Sequence, residues 1–210
     1  MSAADIQARS ARNESADMHG SAPDDCAAAL LVIDMISGFE FEGGDRLLAH
    51  ALPAARRIAR LVARARAAGM PIVYVNDNAG RWRSSLEQVW QAATSQACRG
   101  REVGLLLEPH DDDYFVLKPK HSGFYGTTLD LVLTKLGATR LVLTGVAGDA
   151  CVLMTAGDAY LREYDLYVPQ DCCASQDPRE NRLALRYMAR VFRADTTPSD
   201  RLDLAALARG

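Results

Sequence analysis

One fourteen-residue stretch, LVLTGVAGDACVLM from Leu141 to Met154, constrains the fold more than any other. Its first four residues are apolar or β-branched, the pattern of a buried strand. Gly145-Val146-Ala147-Gly148-Asp149 reads as a tight turn. A helix then runs from near Asp149 to Glu163, with Cys151 at its start. A strand, a turn and a helix in that order form half of a parallel βα unit. A thiol at the N-terminus of such a helix faces free N–H groups and a partial positive charge, both of which favour a thiolate. The same N–H groups can receive an oxyanion.

The rest of the chain repeats the βα pattern. Strands are expected at Ala28 to Asp34, Pro71 to Val75, Tyr114 to Lys118, Leu141 to Thr144 and Asp165 to Val168, with a weak edge strand near Ala194 to Thr197. Between them, helices are expected over Pro53 to Ala68, closed by Gly69, and over about Ser85 to Ala97. Others are marked by Leu129, Val132, Leu133 and Leu136, and by Pro178 to Phe192. Alternating βα units imply an α/β fold, a parallel sheet with helices on both faces. Ligands of such sheets bind outside the carboxyl ends of the strands. Two further strands end there in a charge: AALLVI runs into Asp34, and YFVL runs into Lys118. An acid, a base and a thiol are thus expected in one crevice. Any one of them alone could be ordinary, since a cysteine is often a small core residue and a strand-end Asp a turn former. Their coincidence at three strand ends argues for chemistry.

Composition narrows the partners. The net charge of -3 gives no reason to expect nucleic acid, and Arg56, Arg57, Arg60, Arg64 and Arg66 read as the wet face of an amphipathic helix. No apolar run suggests a membrane span or a signal peptide. Residues 1–25 are polar and free of aromatics, which predicts a loose tail before one domain over 26–210. Five cysteines without framework spacing suggest reduced thiols and a cytoplasmic protein. Adjacent Cys172 and Cys173 are expected to be thiols in a loop rather than a redox pair.

The chemistry expected of the trio is acyl transfer. Asp34 takes the thiol proton and later gives it to a leaving group, Lys118 supplies positive potential, and backbone donors polarise the carbonyl. Taken together, VIDM with Asp34, VLKPKHSGFYGT with Lys118 and LTGVAGDACV with Cys151 resemble the isochorismatase-like cysteine hydrolases over about residues 27–200. The resemblance implies a three-layer α/β/α sandwich, Rossmann-like, around a six-stranded parallel sheet. It implies Asp34, Lys118 and Cys151 as the catalytic triad. It also implies a cis peptide between Val146 and Ala147, an oxyanion hole from the N–H groups of Ala147 and Cys151, and a homo-oligomer, dimer or tetramer.

Two departures shape the expected activity. Gly148-Asp149 stands where such proteins commonly carry Thr-Asp. Nicotinamidases of this group bind a metal through Asp-x-His after the second strand, whereas this chain reads VYVNDNAGRW, and His19, His50, His110 and His121 lack ligand spacing. No metal and no cofactor are therefore expected. The expected reaction is hydrolysis of a C–N bond, amide or carbamoyl, in a small-molecule substrate through a thioester. Two alternatives stay open: a nicotinamidase-like or isochorismatase-like activity, and a non-catalytic small-molecule binding protein on the same scaffold. Phe39, Trp82, His121, Phe124 and Tyr125 are the candidates for a substrate pocket, set against ordinary packing under loops.

Overall fold

The computed structural model describes residues 24–77 and 85–209. The expected tail lies outside them but for its last two residues, and Asp24 accepts a 2.8 Å hydrogen bond from Tyr114 Oη. Six strands form one parallel sheet: β1 (Ala28–Ile33), β2 (Ile72–Asp77), β3 (Tyr114–Lys118), β4 (Arg140–Val146), β5 (Asp165–Tyr167) and β6 (Cys173–Ala174). The spatial order is β3-β2-β1-β4-β5. β5 and β6 share the far side of β4. β5 pairs with its first residues, Arg140 to Val142, and β6 with its last, Gly145 and Val146.

β1 is buried along its whole length because helices cover both faces of the sheet. Its side chains alternate between two cores. Ala28, Leu30 and Val32 meet α1 (Gly44–Ala67) through Leu47, Ala51, Ile58, Leu61 and Ala65. α2 (Leu86–Thr94), α3 (Arg101–Leu106) and α7 (Leu204–Ala208) complete that layer. Ala29, Leu31 and Ile33 face the opposite core. There α4 (Leu129–Lys135), α5 (Leu153–Leu161) and α6 (Pro178–Val191) contribute Leu133, Ala156 and Met188. The result is the expected three-layer α/β/α sandwich.

Several boundaries differ from the sequence reading. α1 starts at Gly44, nine residues before Pro53, because the apolar stripe continues upstream through Leu47 and Ala51. Proline costs the helix one backbone bond, and the buried stripe offsets that loss. α1 does end where expected, with Gly69 at φ 72° and the Met70 N–H returned to Ala65 O. α2 is shorter than expected, and α3 lies in what read as a plain connection. The expected edge strand near Ala194 is a single bridge between Tyr167 and Asp195; the sixth strand is Cys173–Ala174 instead. Among the described residues, no helix is long and apolar enough to cross a membrane.

Candidate active site

The chain reverses its winding at β1: β2 and β3 lie on one side, β4 on the other. Such a switch point leaves a crevice at the carboxyl ends of the flanking strands. Asp34 follows β1 into that crevice, and the Cys151 turn follows β4. Lys118 closes β3, two strands away, and reaches back across β2, where it pairs in register with Asp77.

The three side chains meet. Lys118 Nζ lies 2.7 Å from Asp34 Oδ2 and 3.5 Å from Cys151 Sγ. The ammonium is 0% exposed, and also donates to Lys120 O at 3.1 Å. Asp77, whose carboxylate stands 3.9 Å from Nζ, donates its backbone N–H to Asp34 Oδ1 at 2.7 Å. Asp34 takes φ 52°, a left-handed conformation that Asp tolerates better than most residues. Its own N–H donates to Val75 O, which ties the strand end to β2.

The charges of this cluster are strongly coupled. Burial raises the Asp34 pKa, Lys118 opposes it, and the net direction is up. Burial pulls the Lys118 pKa down, but the Asp34 carboxylate, with Cys151 and Asp77, outweighs it, so Lys118 stays charged. Burial and then the Asp34 carboxylate push the Cys151 thiol up to about 12, against Lys118. This reverses the thiolate expected from the sequence. That expectation counted the lysine and the helix terminus, but not the desolvation of the thiol nor the carboxylate beside it. The cluster sets a thiol whose pKa is pushed up beside the close Asp34–Lys118 contact.

The turn under Cys151 is wider than an ordinary helix start. Residues Gly148–Val152 form a π-type turn in which the Ala147 carbonyl accepts from both Ala150 and Val152 N–H, each at 3.1 Å. The Val146–Ala147 peptide bond is cis. π-type turns recur at functional sites.

The pocket candidates separate. His121 Nδ1 stands 3.6 Å from Cys151 Sγ. Tyr125 is 62% exposed. Phe39 and Phe124 are core residues instead of pocket walls. Phe39, 1% exposed, packs with the α1 core, and Phe124 packs near Tyr164 under the Arg162 guanidinium. Both are large apolar rings next to buried helices, where burial stabilises more than a place at a wet crevice. Trp82 lies outside the described residues. Cys172 and Cys173 are buried free thiols. The Asp77 contact with the trio was missed, although Asp77 too stands at a strand end.

Among the described residues the donor set does not fit a metal centre. Asn76 turns its amide Nδ2 to Ile36 O, the carboxylates of Asp34 and Asp77 lie beside the Lys118 ammonium, and among the described residues no group of three His, Cys, Asp or Glu side chains is placed to hold a metal ion.

Comparison with known proteins agrees with this architecture. The family model described as Isochorismatase domain matches residues 28–199. The uncharacterized isochorismatase family protein YaaI of Bacillus subtilis (strain 168) is 40% identical over 174 residues, 83% of this chain and 95% of its own. Ureidoacrylate amidohydrolase RutB of Methylobacterium radiotolerans is 32% identical over 195 residues, 80% of this chain and 76% of its own. Among solved structures, N-carbamoylsarcosine amidase from Thermoplasma acidophilum superposes with a TM-score of 0.64 at 31% identity, covering 84% of this chain and 98% of that one. The pyrazinamidase/nicotinamidase from Streptococcus mutans gives 0.63 at 26% identity, covering 80% and 99%.

Proposed function

The chain belongs to the isochorismatase family, and from that membership we propose that it is a cysteine hydrolase of a small-molecule C–N bond, amide or carbamoyl. The observation that carries the reading is the contact chain Asp34–Lys118–Cys151, at 2.7 and 3.5 Å. The relatives named as amidohydrolase and amidase support the bond type.

The proton inventory of the site suits this chemistry. Cys151 rests as a thiol, so attack on a carbonyl carbon requires its proton to leave. Asp34 is the acceptor, and its raised pKa makes it a better base than an exposed carboxylate. As the S–C bond forms, the carbonyl oxygen becomes an oxyanion, received by the Ala147 and Cys151 N–H groups. Lys118 keeps its charge throughout and compensates the negative charge that moves between sulfur and carboxylate. The C–N bond then breaks, and the leaving nitrogen takes the proton from Asp34. A thioester remains on Cys151. Water attacks it with Asp34 again as base, the C–S bond breaks, and the thiol is restored. His121, at 3.6 Å from the sulfur, stands where substrate meets the nucleophile. No metal takes part in this scheme.

The same reading takes the protein as a homo-oligomer. Leu161, Met154, Leu183 and Tyr187 on α5 and α6 are large apolar side chains left exposed, which supports it.

A panel of small amides, carbamoyl compounds and vinyl ethers, run with wild type and Cys151→Ala, tests the proposal. It expects release of ammonia or an amine from at least one amide or carbamoyl compound. The variant should lose roughly a thousandfold or more. Turnover of vinyl ethers alone, or a variant retaining over a tenth of the rate, overturns it.

A further inference from the structure

Behind the Cys151 turn lie two buried polar side chains that the proposed mechanism does not use. Ser175 and Asn181 are 1% and 9% exposed. Ser175 Oγ accepts the Asp149 N–H at 3.1 Å and donates to Asn181 Oδ1 at 3.1 Å. Asn181 Nδ2 donates in turn to Cys173 O, also at 3.1 Å. Cys173 belongs to β6, which pairs with β4 at Gly145, just before the turn. A closed relay of hydrogen bonds therefore runs from the turn through Ser175 and Asn181 to the sheet that carries the turn.

The helix itself has no need of this asparagine. α6 buries Ala184, Leu185 and Met188 on the same side. An apolar residue at 181 would extend that stripe without the cost of burying an amide. Gly148 points the same way. Its φ is not in the left-handed region, so the backbone does not require glycine there. A Cβ at 148 would instead collide with Asn181 Oδ1 and come 3.4 Å from Ser175 Oγ. Gly148 and Asn181 thus occupy one shared space.

We propose that Asn181 is a positioning residue for hydrolysis: with Ser175 it fixes the Gly148–Asp149 segment and so aims the Ala147 and Cys151 N–H groups at the oxyanion, and glycine at 148 is the space this requires. The inference rests on the proposed reading of Cys151 as nucleophile with backbone donors. Those donors bind the oxyanion more tightly than the ground-state carbonyl. A misaimed turn therefore lowers kcat and leaves KM nearly unchanged. Loss of one whole oxyanion donor costs about 10²–10³ in kcat. A turn that keeps its donors but loses its support should lose roughly ten- to a hundredfold.

The test uses p-nitrophenyl acetate, an activated ester that needs a nucleophile and an oxyanion site but no specific pocket. Wild type, Asn181→Ala, Asn181→Leu, Gly148→Ala, the Gly148→Ala/Asn181→Ala double variant and Cys151→Ala are compared for kcat, KM and urea midpoint. Both Asn181 variants should lose kcat by roughly ten- to a hundredfold, with KM within about twofold. Gly148→Ala should be impaired alone but add nothing in the Asn181→Ala background, because the clash is gone. Asn181→Leu keeps the branched shape and leaves no cavity, so a fold disturbed only by a cavity is separated from a lost hydrogen bond. The proposal is overturned if kcat in the Asn181 variants stays within twofold of wild type while only the urea midpoint falls, or if the two sites are additive. Activity that persists in Cys151→Ala would instead sink the nucleophile reading.

Discussion

Removing the Lys118 ammonium should reveal how the site holds its charges. Lys118 and Asp34 are 2.7 Å apart, the lysine fully buried and the Asp34 side chain 14% exposed. At an effective dielectric of about 20, unit charges at that separation attract by about 6 kcal/mol. Desolvation of both groups takes back part of this. Deleting one member of a buried pair typically costs about 3–5 kcal/mol, because the survivor is left uncompensated. Lys118→Met should therefore lose about 3–5 kcal/mol near neutral pH. Asp34→Asn in the same background should recover much of that loss. Asn also tolerates the left-handed backbone at position 34 and can still accept the Asp77 N–H.

The pH dependence carries a definite sign. Asp34 is already raised by burial, and without Lys118 the force that pulls it down is gone. A raised carboxylate contributes stability that is present below its unfolded pKa, about 3.9, and lost as pH rises through its folded value. The deficit of Lys118→Met should thus be smallest in acid and grow as pH rises. Urea denaturation of wild type, both single variants and the double variant at several pH values between 4 and 8 measures the cycle. A deficit under about 1 kcal/mol, or one indifferent to pH and to Asp34→Asn, would show that the ion pair is not what neutralises the crevice.

Other outcomes follow from the same geometry. Thiolate absorbance of Cys151, in a variant lacking the other four cysteines, should titrate near 12 in the free protein, and Asp34→Asn should lower the midpoint; a midpoint below 8 would refute the buried-thiol picture. The raised thiol pKa also contributes stability that is lost as pH climbs above about 9, when the unfolded thiol ionises first. Protein dialysed against a strong chelator should keep its activity; restoration by zinc, iron or manganese after loss would show a metal requirement. Gly145→Ala places a Cβ against Ile33 O at φ 118°, so it should cost at least about 1–3 kcal/mol, and an unchanged urea midpoint would contradict the register of β1 and β4.

Much of this molecule is legible from the chain because strands under helices read as short apolar runs, buried throughout in β1 and most of β4 and half-buried in the edge strand β3. AALLVI, YFVL and LVLT stand out, and their ends bring Asp34, Lys118 and the Cys151 turn to one edge of the sheet. Position at a strand end is a one-dimensional signal. Depth is not, and that is why the thiol's pKa was misjudged and why Phe39 and Phe124 turned out to be core. Pro53 looked like a helix start since proline favours the first turn, and only the continued stripe at Leu47 and Ala51 places it inside α1. β6 is two residues long and has no periodicity to detect. Ser175 and Asn181 had no local signal either. Ser175 meets Asp149 across more than twenty residues of chain, and Asn181 is tied in only through Ser175 and Cys173.

In the proposed reaction Cys151 carries the substrate's acyl group. Wild type mixed with p-nitrophenyl acetate and quenched in acid within milliseconds can be read by intact mass and peptide mapping. One acetyl group per chain is expected, on Cys151, released by hydroxylamine and absent from Cys151→Ala. An acetyl group on another residue, or turnover with no acyl group on Cys151 and full activity in Cys151→Ala, would contradict it.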